Sequence, residues 1–271
     1  MSSFSETTYN GIEFLAKYPE MESKLSAICK APKVQKWIDR LLEKDELTVT
    51  SIRVTDVDFF GPPVPERVGF VKCVVSCVNK MTNEPISSNI VLIRGDSVCV
   101  YIVVTIRETQ EKYVLFVEQI RVAGHGYKIE LPAGMLDDKV DDSEIIGPVF
   151  KEIKEETGFV PKKNELIQLG SKVHLSIGLL DEGITGYLWE TTIDKAEFNW
   201  IQNNIYGEDA NEQIKLRFSR LDAMDEFLDS IGDAKAEFCH RRYLARLHSR
   251  DNRLLILIGI LLFYIVYIAY K

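Results

Sequence analysis

The chain has 271 residues, 46% hydrophobic and 27% charged, which is room for one large domain or two small ones with a core that needs no disulfides. Such a composition excludes a disordered chain, a collagen-like repeat and a small secreted scaffold. The 33 basic and 41 acidic residues give −8 at pH 7, but six of the basic residues and one acidic residue lie from His240 onward. That leaves 27 basic and 40 acidic residues on the first 239, and a body so acidic excludes general nucleic-acid binding, which needs clustered Lys and Arg.

The first 25 residues carry Glu6, Glu13, Glu20 and Glu22 and no apolar signal core, so they read neither as a secretory signal nor as a basic transit peptide. Helices are predicted over 20–46, where Val34, Trp37, Ile38, Leu41 and Leu42 recur at helical spacing. From about residue 47 the pattern changes to β-branched strands: LTVTSIRVTDVDFF, RVGFVKCVVSCVNK, SNIVLIR, SVCVYIVVTI and KYVLFVEQIRV, separated by GPPVPE, KMTNEP and RETQEK turns. A short acidic helix is expected at about 148–157, a strand near 166–174, another through ITGYLWETTI, and IKLRFSRL leading into a helix at 222–231. Strands outnumber helices, and the class is α+β with a mixed sheet. From Leu254 to Tyr270 the chain has no charged residue. At about 1.5 Å per residue this is helix enough for a thin bilayer. Arg241, Arg242, Arg246, Arg250 and Arg253 precede it and only Lys271 follows, so a tail anchor with its body in the cytosol is expected, in the endoplasmic reticulum or a mitochondrial-type outer membrane. A buried C-terminal helix is the alternative.

Five cysteines, Cys29, Cys73, Cys77, Cys99 and Cys239, form no CxxC pair. Cys73 and Cys77 share a strand face, and read either as half a metal site or, as taken here, as reduced core thiols in a cytosolic protein. The chemistry concentrates in Glu130–Phe159, ELPAGMLDDKVDDSEIIGPVFKEIKEETGF. On a helix Glu152, Glu155 and Glu156 share a face, with Val149, Phe150 and Ile153 opposite. Pro148 suits the first turn and Gly158 the left-handed position that ends the helix. Three such carboxylates repel one another unless a hard cation sits among them, and Mg²⁺, which takes carboxylates, waters and substrate phosphate, is the natural occupant. A solvated acidic helix face is the plainer reading of the same residues.

GPVFKEIKEETGF behind ELPAGMLDD resembles the Nudix box, a glycine and spacer followed by REUxEExGU with U aliphatic or aromatic. The matching residues are Gly134, Glu152, Glu155, Glu156, Gly158 and Phe159. VDFFG, GFVK, IRGDSV, FVEQIRV and ELPAGMLDD follow in the order typical of the ADP-sugar diphosphatase and ADP-ribose pyrophosphatase branch, so that the resemblance runs from about residue 30 to 230. Three departures stand out. Lys151 replaces the usual arginine and loses its planar fork. The spacer from Gly134 is three residues longer, which leaves Glu144 out of register. Leu175 stands where ADP-ribose pyrophosphatases usually have proline.

The resemblance implies a Nudix-type α/β/α sandwich with a mixed sheet, to which the sequence adds an N-terminal helix and strand extension and the C-terminal transmembrane helix read above. The expected divisions are 1–95 for the N-terminal region, 96–235 for the hydrolase domain, 236–253 for a basic linker and 254–270 for the anchor. It also implies hydrolysis of the pyrophosphate of an ADP-sugar such as ADP-glucose or ADP-ribose to AMP and a sugar 1-phosphate. UDP-glucose, a dinucleotide, or a non-catalytic nucleotide-binding module are the alternatives. By match to the family, the Ala133 carbonyl, Glu152 and Glu156 hold two or three Mg²⁺, with Mn²⁺ a possible substitute, and Glu212 adds a further ligand or base. Glu155 is catalytic, Asp209 stands second to Glu212, and Arg94, Arg121, Met135 and Glu182 meet the substrate. A homodimer is implied as well.

Overall fold

The computed structural model describes residues 7–87, 89–136, 146–202, 204–206 and 214–249. The chain divides into two compact units. One holds the described parts of the chain up to Val98, of 134–148 and of 172–184, and the other the described parts of 99–133, 149–171 and 185 onward.

The first unit begins with a hairpin of β1 (Thr8–Tyr9) and β2 (Ile12–Ala16). Asn10 and Gly11 between them both have positive φ, 48° and 79°, the backbone that a two-residue turn of the Asn-Gly type requires. Helices α1 (Leu25–Cys29) and α2 (Pro32–Glu43) follow, the second with proline in its first turn. Strands β3 (Leu47–Phe59), β4 (Val68–Asn79) and β5 (Ile90–Ile93) complete a sheet in the order β1-β2-β3-β4-β5. β2 runs parallel to β3, and the other pairs are antiparallel. Ile28, Val34 and Ile38 from the helices are fully buried in one cluster with Ile52, Val54, Cys73 and Ile93 from the strands. Burial of these side chains, each contributing roughly 1.5–3 kcal/mol for the larger aliphatics, holds the helices to the sheet.

The second sheet is built on β6 (Ser97–Ile106) and β7 (Lys112–Arg121), with β8 (Gly126–Glu130) on β7 and β9 (Ala133–Met135) on β6. α3 (Ile146–Thr157), β10 (Ile167–Gln168), β11 (Ile184–Ile193), α4 (Lys195–Gln202), β12 (Ile205–Tyr206), β13 (Ile214–Arg220) and α5 (Met224–Ile231) follow, and the strand order is β10-β11-β6-β7-β13-β12. Residues 234–249 form a further helix, α6. β6 is buried almost throughout, as a strand covered on both faces must be. Tyr101 on β6 meets His240 and Tyr243 of α6 with ring centroids 5.9 and 5.5 Å apart, and the Cys99 and Cys239 sulfurs lie 3.7 Å apart. Phe198 of α4 packs against Tyr113 and Phe218, and Phe227 of α5 against Phe116.

The α+β class is seen, in two sheets, with α1 and α2 giving the strands of 47–93 an apolar partner of their own, but one expectation is corrected. Among the described residues no helix is long and apolar enough to cross a membrane, so the transmembrane helix is not part of the observed fold; 254–270 lies outside the described residues. All five cysteines are free. Burial pushes the Cys73 thiol up to about 12, which suits an inert core thiol. No group of three or more His, Cys, Asp or Glu that could hold a metal occurs among the described residues.

Gly158 ends α3 at φ +74°, as its position in the motif anticipates, and its N–H returns to the Lys154 carbonyl at 2.9 Å. A Cβ there would stand 2.7 Å from Cε1 of Tyr206. Gly158→Ala is therefore expected to destabilise the protein by about 1–2 kcal/mol from the left-handed backbone alone, with the Tyr206 clash added. Thermal unfolding checks this, and an unchanged midpoint would contradict it.

Candidate active site

In the second unit, α3 carries the carboxylate motif. Val149 and Ile153 are fully buried and anchor the helix. Glu155 is half-buried, whereas Glu156 is only 7% exposed. A carboxylate so placed is costly unless hydrogen-bonded or paired. Oε2 of Glu156 accepts the backbone N–H of Ala133 at 3.2 Å, which joins the helix to the start of β9, where the Ala133 carbonyl is an expected metal ligand. Both glutamates occupy the last turn of α3, where the helix dipole is negative and disfavours further negative charge. A cation would offset both the dipole and the mutual repulsion. The side chain of Glu152, the third carboxylate of the motif, lies outside the described residues, as do Lys151's side chain, Glu144, Asp209 and Glu212.

Arg121 closes β7 with its side chain 47% exposed, and its Nε donates to Oε1 of Glu130 at 2.5 Å. Oε2 of Glu130 accepts from Lys235 Nζ at 3.1 Å, Lys235 also reaches Oδ1 of Asp233 at 2.9 Å, and Oδ2 of Asp233 accepts the Leu131 N–H at 2.9 Å. Burial works against the charged Lys235 ammonium, but the Asp233 and Glu130 carboxylates outweigh it and raise its pKa above the usual lysine value. Arg121 is thus oriented by a chain of charges that reaches the backbone two residues before Ala133. Sequence reading missed Glu130, Asp233 and Lys235. Glu130 was visible beside the LPAG run, but the pairing of 130 with 233 and 235 had no local signal.

In the first unit, Arg94 Nη1 donates to Oε2 of Glu182 at 3.3 Å, so these two expected substrate contacts are brought together. Met135 is half-buried in β9, and the N–H of the next residue, Leu136, donates to the Asp96 carbonyl at 3.0 Å. The Asp96 carboxylate accepts from Arg40 at 2.6 Å, Lys172 at 2.7 Å and the Gly183 N–H at 3.1 Å. Burial pushes Asp96 up, yet the hydrogen bonds and charges of Arg40 and Lys172 prevail and hold it below the ordinary carboxylate range. For Asp181 the balance is reversed: burial raises it, and the Arg94 and Gly95 N–H groups only partly oppose this. Asp96 and Asp181 were also missed, though RGD and LDEG displayed them as acids flanking the chosen residues. Leu175 is 47% exposed.

No protein-family profile matches the chain. It is 30% identical over 186 residues to Nudix hydrolase 14, chloroplastic, of Arabidopsis thaliana. The likeness supports the Nudix family. The aligned stretch is 65% of this chain and 57% of that relative, so the chain spans little more than half the relative's length. The likeness supports Nudix chemistry in general and does not single out the ADP-sugar branch. The expected tail-anchored location is left without support: no described helix is long and apolar enough to cross a membrane, and 254–270 lies outside the described residues. For a divalent cation, the buried Glu156 carboxylate and the Ala133 carbonyl, in residues joined by a hydrogen bond, are the hard oxygens such an ion takes, and their donor chemistry fits it.

Proposed function

We propose that the chain is a Nudix pyrophosphohydrolase acting on a nucleoside diphosphate sugar, with an ADP-sugar cleaved to AMP and a sugar 1-phosphate. One observation carries the reading: a buried Glu156 at the negative end of α3, hydrogen-bonded to the Ala133 N–H. The order of motifs and the likeness to a Nudix hydrolase support it. In this reading the Ala133 carbonyl, Glu152 and Glu156 hold Mg²⁺ or Mn²⁺, and Glu212 supplies a ligand or base with Asp209 second to it. Bound divalent cations would neutralise the diphosphate and lower the pKa of a water. Glu155 would accept a proton, while Arg121, Arg94, Met135 and Glu182 would bind and orient the substrate, so that positioning and electrostatics supply most of the rate. One water enters, one bridging P–O bond breaks, and its oxygen leaves with one of the two phosphates. Two copies pairing as a homodimer belong to the same reading, which light scattering tests.

The experiment is a panel of ADP-glucose, ADP-ribose, UDP-glucose and a dinucleoside diphosphate with Mg²⁺ and with Mn²⁺, the products separated. Release of AMP from an ADP-sugar is expected. UMP from UDP-glucose as the main product would move the substrate assignment. If no compound turns over with either ion, the hydrolase reading fails and the binding-module reading, which Lys151 and Leu175 favour, takes its place.

A further inference from the structure

The turn Arg94–Asp96 is gripped from several sides, all within the first unit. Oδ1 of Asp181 accepts the Arg94 N–H at 2.8 Å, and the same carboxylate accepts the Gly95 N–H at 3.3 Å. Lys33, 6% exposed, donates from Nζ to the Gly69 carbonyl at 3.0 Å and to the Arg94 carbonyl at 3.4 Å. Gly95 has φ +85°, a conformation that suits glycine. Asp96 is fixed in turn by Arg40, Lys172 and the Gly183 N–H. Against all this hold, Arg94 makes one long contact to Glu182, and its Nε is buried with no hydrogen-bond partner among the described residues. An unpaired buried donor is disfavoured. The side chain therefore does not choose this pose for its own bonds; the grips on its backbone impose it.

We propose that Asp181 is a positioning residue: by taking the N–H groups of Arg94 and Gly95 it aims the Arg94 guanidinium, beside Glu182, at the anionic oxygens of a nucleoside diphosphate. The inference rests on the proposed reading that Arg94 meets the substrate. A guanidinium recognises phosphate oxygens by direction as well as charge, so a turn free to rotate would keep the charge and lose the aim. Asp181 touches no substrate atom and acts through Arg94.

The test uses the full chain as wild type, Asp181→Ala, Asp181→Asn, Arg94→Ala and the Asp181→Ala/Arg94→Ala double variant, with ADP-glucose and Mg²⁺. Asp181→Ala is expected to raise KM about tenfold with kcat within about threefold, the pattern of lost binding. Asp181→Asn keeps an acceptor oxygen and should recover most of that loss. In the Arg94→Ala background Asp181→Ala should add less than about twofold, because coupled residues are not additive. Amide hydrogen exchange at Arg94 and Gly95, read without turnover, should quicken in Asp181→Ala and return toward wild type in Asp181→Asn. Unchanged exchange in Asp181→Ala, single effects that multiply in the double variant, or a fall in kcat with KM unmoved would each overturn the proposal. If the wild type turns over no nucleotide sugar while exchange responds as expected, the hydrolase reading has failed and the substrate role of Asp181 falls with it. Should Asp181→Ala not fold, Asp181→Ser, whose hydroxyl is too short to reach both amides, takes its place.

Discussion

Glu156→Gln is expected to lower hydrolysis by about 10²- to 10⁴-fold while leaving the fold in place. The amide keeps the size of the side chain and an oxygen able to accept the Ala133 N–H, so the join between α3 and β9 survives. What is lost is a negative charge at the end of a helix whose dipole disfavours it. Removing it relieves the dipole and the repulsion from Glu155, and the variant is expected to melt no lower than wild type. The combination of a lower rate with undiminished stability separates a metal ligand from a structural carboxylate. Turnover of Glu152→Gln and Glu156→Gln at saturating Mg²⁺, together with their unfolding midpoints, checks it. Wild-type turnover in both variants would sink the metal assignment.

The parts of the site that could be read from sequence are those encoded within a few residues. The three glutamates, the terminating Gly158 and the apolar Val149 and Ile153 lie within one helix, and local periodicity exposes them. The β-branched runs of β3, β4, β6 and β7 are legible for the same reason. The hairpin at Thr8–Ala16 has a strong turn signal in Asn10-Gly11, but β1 is two residues long, too short for an alternating pattern to show. Which strands pair within each sheet was not legible, since β-branched strands carry no label saying which neighbours they pair with. The positioning network was least legible of all. Asp181 caps a turn 87 residues earlier, and Asp233 reaches Leu131 across 102 residues. No local pattern encodes such pairs, and they are the contacts that turn expected substrate residues into aimed ones.

Lys235→Met is expected to destabilise the protein by about 3 kcal/mol, the lower part of the range for breaking a buried ion pair. The ammonium is only 15% exposed and neutralises Glu130 and Asp233, which are 13% and 7% exposed. Methionine fills the stem's volume, so the loss isolates the charge. Glu130 retains Arg121, but that partner is nearly half exposed and screened, and among the described residues Asp233 retains the backbone N–H groups of Leu131 and Lys235. Two negative charges would then face each other with little compensation. At roughly 2–4 °C per kcal/mol for a chain of this size, the unfolding midpoint should fall by about 6–12 °C. Because the folded pKa of Lys235 is raised above the 10.5 of the free side chain, its contribution is complete below that value and is lost as pH rises through the folded pKa. The gap between wild type and Lys235→Met should therefore be constant through neutral pH and narrow only in strong alkali. Lys235→Arg, which keeps the charge at the cost of a bulkier head, should lose less than half as much as methionine. A midpoint for Lys235→Met within about 2 °C of wild type would mean that solvent, and not Lys235, balances Glu130 and Asp233, and that Arg121 is oriented by Glu130 alone.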